Sequence, residues 1–358
     1  MGTTWRTPYG LKDWWGAESR EIERWRRHYV EMAAHAGYEP IELPIFELTR
    51  TFSELPGPRI SLREAYRFVD VGGDDLTLRW TFVNALQRAA IQHAWNLLPH
   101  PLRVFYSGPL LRRTSPESGE YRQWTAFGMA AYGPARPLML ADVILTLAAG
   151  LKWLGAPVAV ELTAIPDEPE SSQESWLDAM AEHLGDAGIS CMVKSQPAPR
   201  GAGHREPRWL FHILHPWQGR SVVIAEGAQY ATDQRSPAGE ALVLVEGHLS
   251  CTALVQRWGM TGPPPDDPKP ILVIGDHPRA LHAANRLRRA GRKVQSLFTA
   301  VPESELQATI VMREAEAAIV VEADRLGTVS CVWPSGVVEP VADELLIDYF
   351  ASREEGCQ

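Results

Sequence analysis

Between Met260 and Pro270 the sequence reads MTGPPPDDPKP, and five prolines in so short a stretch forbid both a helix interior and a central strand. The stretch is a linker. It divides the 358 residues into a large piece, 1–259, and a small one, 271–350, with a tail at 351–358. Each piece is long enough to bury a core of its own.

The small piece alternates strand and helix patterns. Ile271–Ile274 reads as a buried strand, Arg279–Ala290 as an amphipathic helix stopped by Gly291, and Lys293–Leu297 as a second strand. Glu303–Glu316 follows as helix, Ala317–Val321 and Thr328–Trp333 as strands, and Val341–Phe350 as a closing helix. This order predicts a small α/β domain on a parallel or mixed sheet.

The large piece has another texture. Ser19–Ala36 has helical spacing and is broken by Gly37, after which Pro40–Leu43 is extended. Tyr66–Asp70 and Leu76–Arg79 flank a Gly-Gly turn, the pattern of a hairpin. Thr81–Leu97 reads as helix. Arg103–Pro109 and Thr125–Tyr132 read as strands around a polar loop, Arg112–Tyr121, and Leu138–Leu154 as a strong helix stopped by Gly155. Helices set against paired strands predict an α+β core on an antiparallel sheet.

Composition narrows the function. The chain is 45% hydrophobic, yet no apolar run approaches the roughly 20 residues of a membrane span. Residues 1–15 lack the apolar run of a signal peptide, so the expected location is the cytoplasm. The cysteines at 191, 251, 331 and 357 form no CxxC pair, which implies thiols rather than a zinc knuckle or disulfides. With 35 Lys and Arg against 44 Asp and Glu, the net charge of −9 has the wrong sign for gripping a phosphate backbone, so tRNA is not an expected partner.

Motifs for the commonest chemistries are absent: no GxxxxGK[ST], no GxGxxG after a strand, no GxSxG, no HExxH. No cofactor or metal is expected. His212 and His215 have a spacing that suits a metal on a helix, but their segment reads as extended and ends at Pro216. Arg112 and Arg113 open the polar loop, where they suit either phosphate oxygens or a solvated hairpin tip. Asp70, Asp74 and Asp75 are explained by turn chemistry. The cluster Arg286, Arg288, Arg289, Arg292 and Lys293 suits a helix C-terminus as well as RNA, and from Ile271 onward 9 cationic residues face 13 acidic ones, which favours the former.

Taken together the segments resemble a family, the class II histidyl-tRNA synthetases. Thr7-Pro-Tyr-Gly-Leu-Lys-Asp13 and Gly37-Tyr-Glu-Pro-Ile-Glu-Leu-Pro-Ile-Phe-Glu47 resemble that family's entry and motif 1, which builds its dimer interface. Tyr66–Arg79 is similar to the following hairpin, and His100–Arg112 with Ser118–Trp124 to motif 2 and its loop. Ala141-Asp142 matches the acidic helix start beyond. The resemblance implies a class II synthetase-like antiparallel sheet core in 1–259 and an anticodon-binding-like α/β domain in 271–350.

The resemblance also points to departures. Arg112 stands at the motif 2 arginine that binds the α-phosphate of ATP, and Arg112, Arg122 and Arg79 are the candidate ligand-binding residues. The glutamate that helps hold adenine is Thr114, and the acidic and amide residues that hold histidine are Thr81, Ala126 and Ala130. Arg205-Glu-Pro-Arg-Trp209 stands in place of a histidine-specific Tyr-Tyr segment. The insertion after motif 2 is shortened to about Ser171–Gly188. In Val243-Leu-Val-Glu-Gly-His-Leu249, which resembles motif 3, His248 replaces the arginine that clamps the γ-phosphate, and a histidine is ordinarily neutral near pH 7. A buried cation without its carboxylates is uncompensated. The resemblance therefore implies a non-catalytic paralogue, similar above all to the regulatory subunit of short-form ATP phosphoribosyltransferase in histidine biosynthesis. Its implied assembly is a homodimer through the motif 1 surface, bound to the catalytic subunit, with histidine binding weak or absent. The alternative is a synthetase-like enzyme or ligand-binding protein using ATP on another small molecule.

Overall fold

The structure is a computed structural model that describes residues 5–58, 60, 63–115, 120–151, 158–165, 184–185, 189–195, 207–258, 269–275, 278–297, 301–313, 315–322, 325 and 327–355. The chain divides into two compact units, Met1–Pro263 and Pro264–Gln358. The proline-rich stretch up to residue 268, the loop tip 116–119, the helix stop at Gly155, residues 205–206 and nearly all of 171–188 lie outside the described residues.

The first unit runs α1 (Ala17–His35), β1 (Glu39–Pro40), β2 (Phe46–Leu48), α2 (Thr49–Glu54), β3 (Arg67–Val69), β4 (Asp75–Leu78), α3 (Val83–Gln92), β5 (Leu102–Leu111), β6 (Gln123–Pro134) and α4 (Pro137–Leu151). It continues with β7 (Ala159–Ala164), β8 (Ser190–Ser195), β9 (Pro207–Trp217), β10 (Arg220–Arg235), β11 (Ala241–Ser250) and α5 (Cys251–Trp258). Eight strands form one sheet in the order β1-β5-β6-β11-β10-β9-β7-β8, and β2-β4-β3 form a small one. The outer pairs β1–β5 and β7–β8 are parallel, and the five pairings between them are antiparallel.

Alternation along these strands gives the large sheet two different faces. One carries Phe105, Phe127, Met129, Val245 and Phe211, and the apolar sides of α1, α4 and α5 cover it. Asp142 ties this layer together, accepting from Tyr38 Oη at 2.9 Å and Arg103 Nε at 3.0 Å. The opposite face carries Val104, Tyr106, Ala126, Ala130 and Leu244, and part of it is covered by Phe82, just before α3, and by Leu86 and Ala89 of α3. The uncovered part of that face holds the site described below.

The second unit adds β12 (Ile271–Ile274), α6 (Pro278–Arg289), β13 (Val294–Leu297), α7 (Glu303–Met312), β14 (Ala317–Val320), β15 (Thr328–Val332), β16 (Val338–Ala342) and α8 (Leu346–Glu355). Its sheet order is β13-β12-β14-β15-β16. Ile271 and Val273 face α6 and α8, while Leu272 and Ile274 face α7, which is why β12 is apolar at every position. Arg286 and Arg288 are spent within the unit: Arg286 Nη2 donates to the Glu344 carbonyl at 3.1 Å, and Arg288 Nη2 to Ser296 Oγ at 2.9 Å.

Two expected helices differ from the sequence reading. The helix expected over Thr81–Leu97 ends at Gln92, and Ala94 is left-handed at φ 48° before a 3-10 turn, Trp95–Leu97. That turn lets Trp95 drop into the core beneath α3, where it is buried. The closing helix expected from Val341 starts at Leu346, because Val338–Ala342 pairs with β15 as an edge strand, the one setting that tolerates Pro340. At its other end the helix runs on to Glu355, into the expected tail. Among the described residues no helix is long and apolar enough to cross a membrane.

Candidate functional site

Strand register sets a row of side chains across the exposed face of the large sheet: Tyr106, Gly128, His248, Glu226, His212 and Glu161 stand opposite one another on six successive strands. One step along lies a second row, Val104, Ala130, Glu246 and Ala228. Tyr106 and Glu246 are on strands separated by β6, yet the Tyr106 hydroxyl donates to Glu246 Oε1. Gly128 permits it. A methyl group there would fall on the Tyr106 ring, which lies across the glycine.

Glu246 is 2% exposed, and its carboxylate also accepts from His248 Nδ1 at 3.1 Å. The other ring nitrogen of His248 lies 3.6 Å from Glu226 Oε1, and Glu226 in turn lies 4.0 Å from His212. Burial works against a charged ring, but the field of Glu246, its hydrogen bond and Glu226 together outweigh it and raise the His248 pKa to about 9. His248 is therefore an imidazolium at neutral pH. This corrects the expectation of a neutral ring, and the cause is the pair of carboxylates two residues away on the same strand and opposite on the next. The Tyr106 hydroxyl is held protonated by its burial and by Glu246.

A cavity of about 510 Å³ opens beside this network. His248, Glu226, Arg112, Glu120, Thr81 and Ser250 supply its polar wall, and Trp80, Trp124 and Leu254 are among its apolar parts. Arg112 reaches Glu120 Oε2 at 3.5 Å. Two cations on the wall thus face two carboxylates, with Glu246 behind them.

The structure brings together three of the sequence candidates, Thr81, Arg112 and His248, on the cavity wall. Thr81 Oγ1 accepts from the Val83 amide at the start of α3. The others have different places. Thr114 Oγ1 donates to the Glu120 carbonyl, which shapes the loop. Arg122 Nη2 donates to the Thr114 carbonyl, and the guanidinium lies 5.2 Å from the centre of the Tyr9 ring. Ala126 and Ala130 are buried in the apolar cluster with Phe82 and Tyr106, whose rings stack at 4.1 Å. His212 and His215 are an odd number of residues apart on a strand and so point to opposite faces; His215 is buried while His212 faces Glu226.

Arg79 is spent on the backbone, against the reading of it as a ligand residue. Its Nη1 donates to the Leu43 and Pro44 carbonyls at 2.6 and 2.9 Å, its Nε to the Pro109 carbonyl at 3.0 Å, and its cation lies over Phe82. It fastens the chain before β2 and the end of β5 to the hairpin. A lysine cannot span three carbonyls in a fixed fork, so Arg79→Lys is expected to lower stability by about 2 kcal/mol in urea unfolding.

With this geometry in hand, known proteins give it a setting. Residues 10–165 match the family model described as Histidyl-tRNA synthetase. Over that stretch the chain resembles histidyl-tRNA synthetases. Among curated relatives, the histidine–tRNA ligase of Mycolicibacterium vanbaalenii is 33% identical over 185 residues, 51% of this chain and 43% of that protein. That of Corynebacterium kroppenstedtii is 37% identical over 139 residues, 38% of this chain and 33% of that protein. The chain thus matches less than half the length of these relatives. At the level of fold the likeness is broader. The apo histidyl-tRNA synthetase of S. aureus superimposes with a TM-score of 0.76 at 17% identity, covering 97% of this chain and 100% of that one. An ATP phosphoribosyltransferase regulatory subunit/histidyl-tRNA synthetase from Bacillus halodurans gives 0.68 at 14% identity, covering 90% and 100%.

Sequence reasoning missed Glu246, Glu226 and Tyr106 in this site. Glu246 was findable, because a carboxylate two residues from a histidine on a strand shares its face. Glu226 and Tyr106 needed the strand register.

Proposed function

We propose that this chain is a non-catalytic histidyl-tRNA synthetase paralogue acting as the regulatory subunit of a short-form ATP phosphoribosyltransferase in histidine biosynthesis. The observation that carries the non-catalytic part is the charge pairing of the cavity wall. Amino-acid activation needs positioned cations around the phosphates of ATP, but Arg112 is matched by Glu120, and His248 by Glu246 and Glu226. A triphosphate meets no net attraction there. The positions that the family resemblance assigns to histidine recognition are Thr81, Ala126 and Ala130; the two alanines lie in an apolar cluster and offer no counter-charge to a cation. The regulatory role is supported by fold-level likeness to the Bacillus halodurans protein, whose name joins the two activities. In that role the chain would dimerise through its motif 1-like surface and bind the catalytic subunit.

Pyrophosphate exchange with ATP across a panel of amino acids tests the first part. No exchange above background is expected, and exchange at synthetase-like rates with any amino acid would sink it. Calorimetric titration with histidine should show no binding in the micromolar range. Co-purification with a short-form phosphoribosyltransferase catalytic subunit, raising that subunit's activity, is expected for the second part; no complex between the purified proteins would remove it.

A second reading keeps an ATP-using enzyme for another small molecule. The cavity of about 510 Å³ beside Arg112 favours it. The same exchange assay separates the two.

A further inference from the structure

We propose that the His248 ring is an internal occupant of an acidic recess in the cavity wall, closing to cationic ligands a place that Glu246, Glu226 and Tyr106 would otherwise offer them. It stands whether the chain is a regulator or an enzyme, since it concerns what the recess already contains.

A carboxylate as deeply buried as Glu246 needs a counter-charge, or its desolvation is uncompensated. The Tyr106 hydroxyl supplies a hydrogen bond but no charge. Among the described residues the other charges near it are placed elsewhere. Arg79 is fastened to three carbonyls, Arg112 faces Glu120, and His212 lies on the far side of Glu226, 4.0 Å from it. Among the described residues only His248 stands between the two acids, Nδ1 on Glu246 at 3.1 Å and Nε2 3.6 Å from Glu226. A planar cation with a donor at each end, flanked by a carboxylate at each end, is the arrangement of a bound imidazolium ligand, and here the chain supplies it. Gly128 completes the recess: it is the neighbour of His248 on β6, and its missing side chain leaves the space that the Tyr106 ring uses to reach Glu246.

Removing the ring should open a site for its free equivalent. In the full chain, His248→Gly is expected to bind imidazole at about pH 6, where the free ring is largely protonated. The midpoint of thermal unfolding should rise with imidazole concentration, by about 3 °C at tenfold excess over Kd. Wild-type protein should show no such rise, because its recess is full. The double variant His248→Gly with Glu246→Gln should lose it, because the acid that holds the cation is gone. An equal rise in wild type, no rise in the folded glycine variant, or an equal rise in the double variant would each overturn the proposal. Should the glycine variant not fold, nitrogen-15 spectra of histidine-labelled wild-type protein decide it. Both His248 nitrogens are expected to carry protons at about pH 8, and a neutral ring there would overturn it.

Discussion

Between pH 6.5 and 9 the first unit is expected to lose about 3 kcal/mol of unfolding free energy through one residue, His248. The ring titrates near 6.5 in the unfolded chain and near 9 in the folded one, held up by Glu246 and Glu226 against the cost of burial. A group whose pKa rises on folding binds its proton more tightly in the native state. Its contribution is therefore complete below 6.5 and disappears as the pH climbs through 9. Cys251 moves the same way, since burial pushes its thiol up to about 12, but its loss begins only above the ordinary thiol range near 9. The windows do not overlap. Urea unfolding of wild type and His248→Gln at half-unit steps from pH 6 to 9 isolates the effect, because the other histidines are common to both. Wild type should fall steeply across the window and the variant should be nearly flat. Parallel curves would mean that His248 is not the charged partner of Glu246.

Local pattern carried much of the fold because local pattern decides much of it. The unbroken apolar run Ile271–Ile274 and the turn glycines of the β3–β4 hairpin marked their elements directly. Proline was informative at 260–270 but misleading by its rarity at Pro340, where an edge strand accommodates it. The site was far less legible. Arg79, Arg112 and Arg122 look alike as residues, yet one is bonded to three carbonyls, one faces the cavity, and one braces the loop against Tyr9. What separates them is the approach of segments remote in sequence. The charge of His248 depends likewise on Glu226, some twenty residues earlier and opposite it only through the register of β10 and β11. A histidine read by itself is a neutral base; between two carboxylates it is a cation.

Gly227→Ala is expected to cost more than about 3 kcal/mol, enough to leave the first unit largely unfolded or insoluble. Gly227 on β10 stands directly opposite Gly247 on β11. A methyl group at 227 would fall on the Glu246 carbonyl oxygen and the tip of the Phe211 ring, and would lie 2.6 Å from Gly247 Cα. Two of those three obstacles are backbone, so no change of rotamer relieves them. Gly247→Ala makes an instructive contrast, because the atoms it would meet are side-chain atoms: Phe211 Cζ and Leu147 Cδ1 at 2.6 Å, and Val143 Cγ1 at 3.2 Å. Adding Phe211→Leu should therefore recover part of the stability lost at 247 and little of that lost at 227. Urea unfolding of the two single variants and the two doubles reads this out, and equal recovery in both pairs would show that Phe211, not the ladder, limits the approach. The ladder matters for the site because Gly247 lies between Glu246 and His248. Whatever spreads β10 from β11 there also separates His248 from Glu226, so any folded fraction of Gly227→Ala should show a His248 ring that loses its proton at lower pH than in wild type.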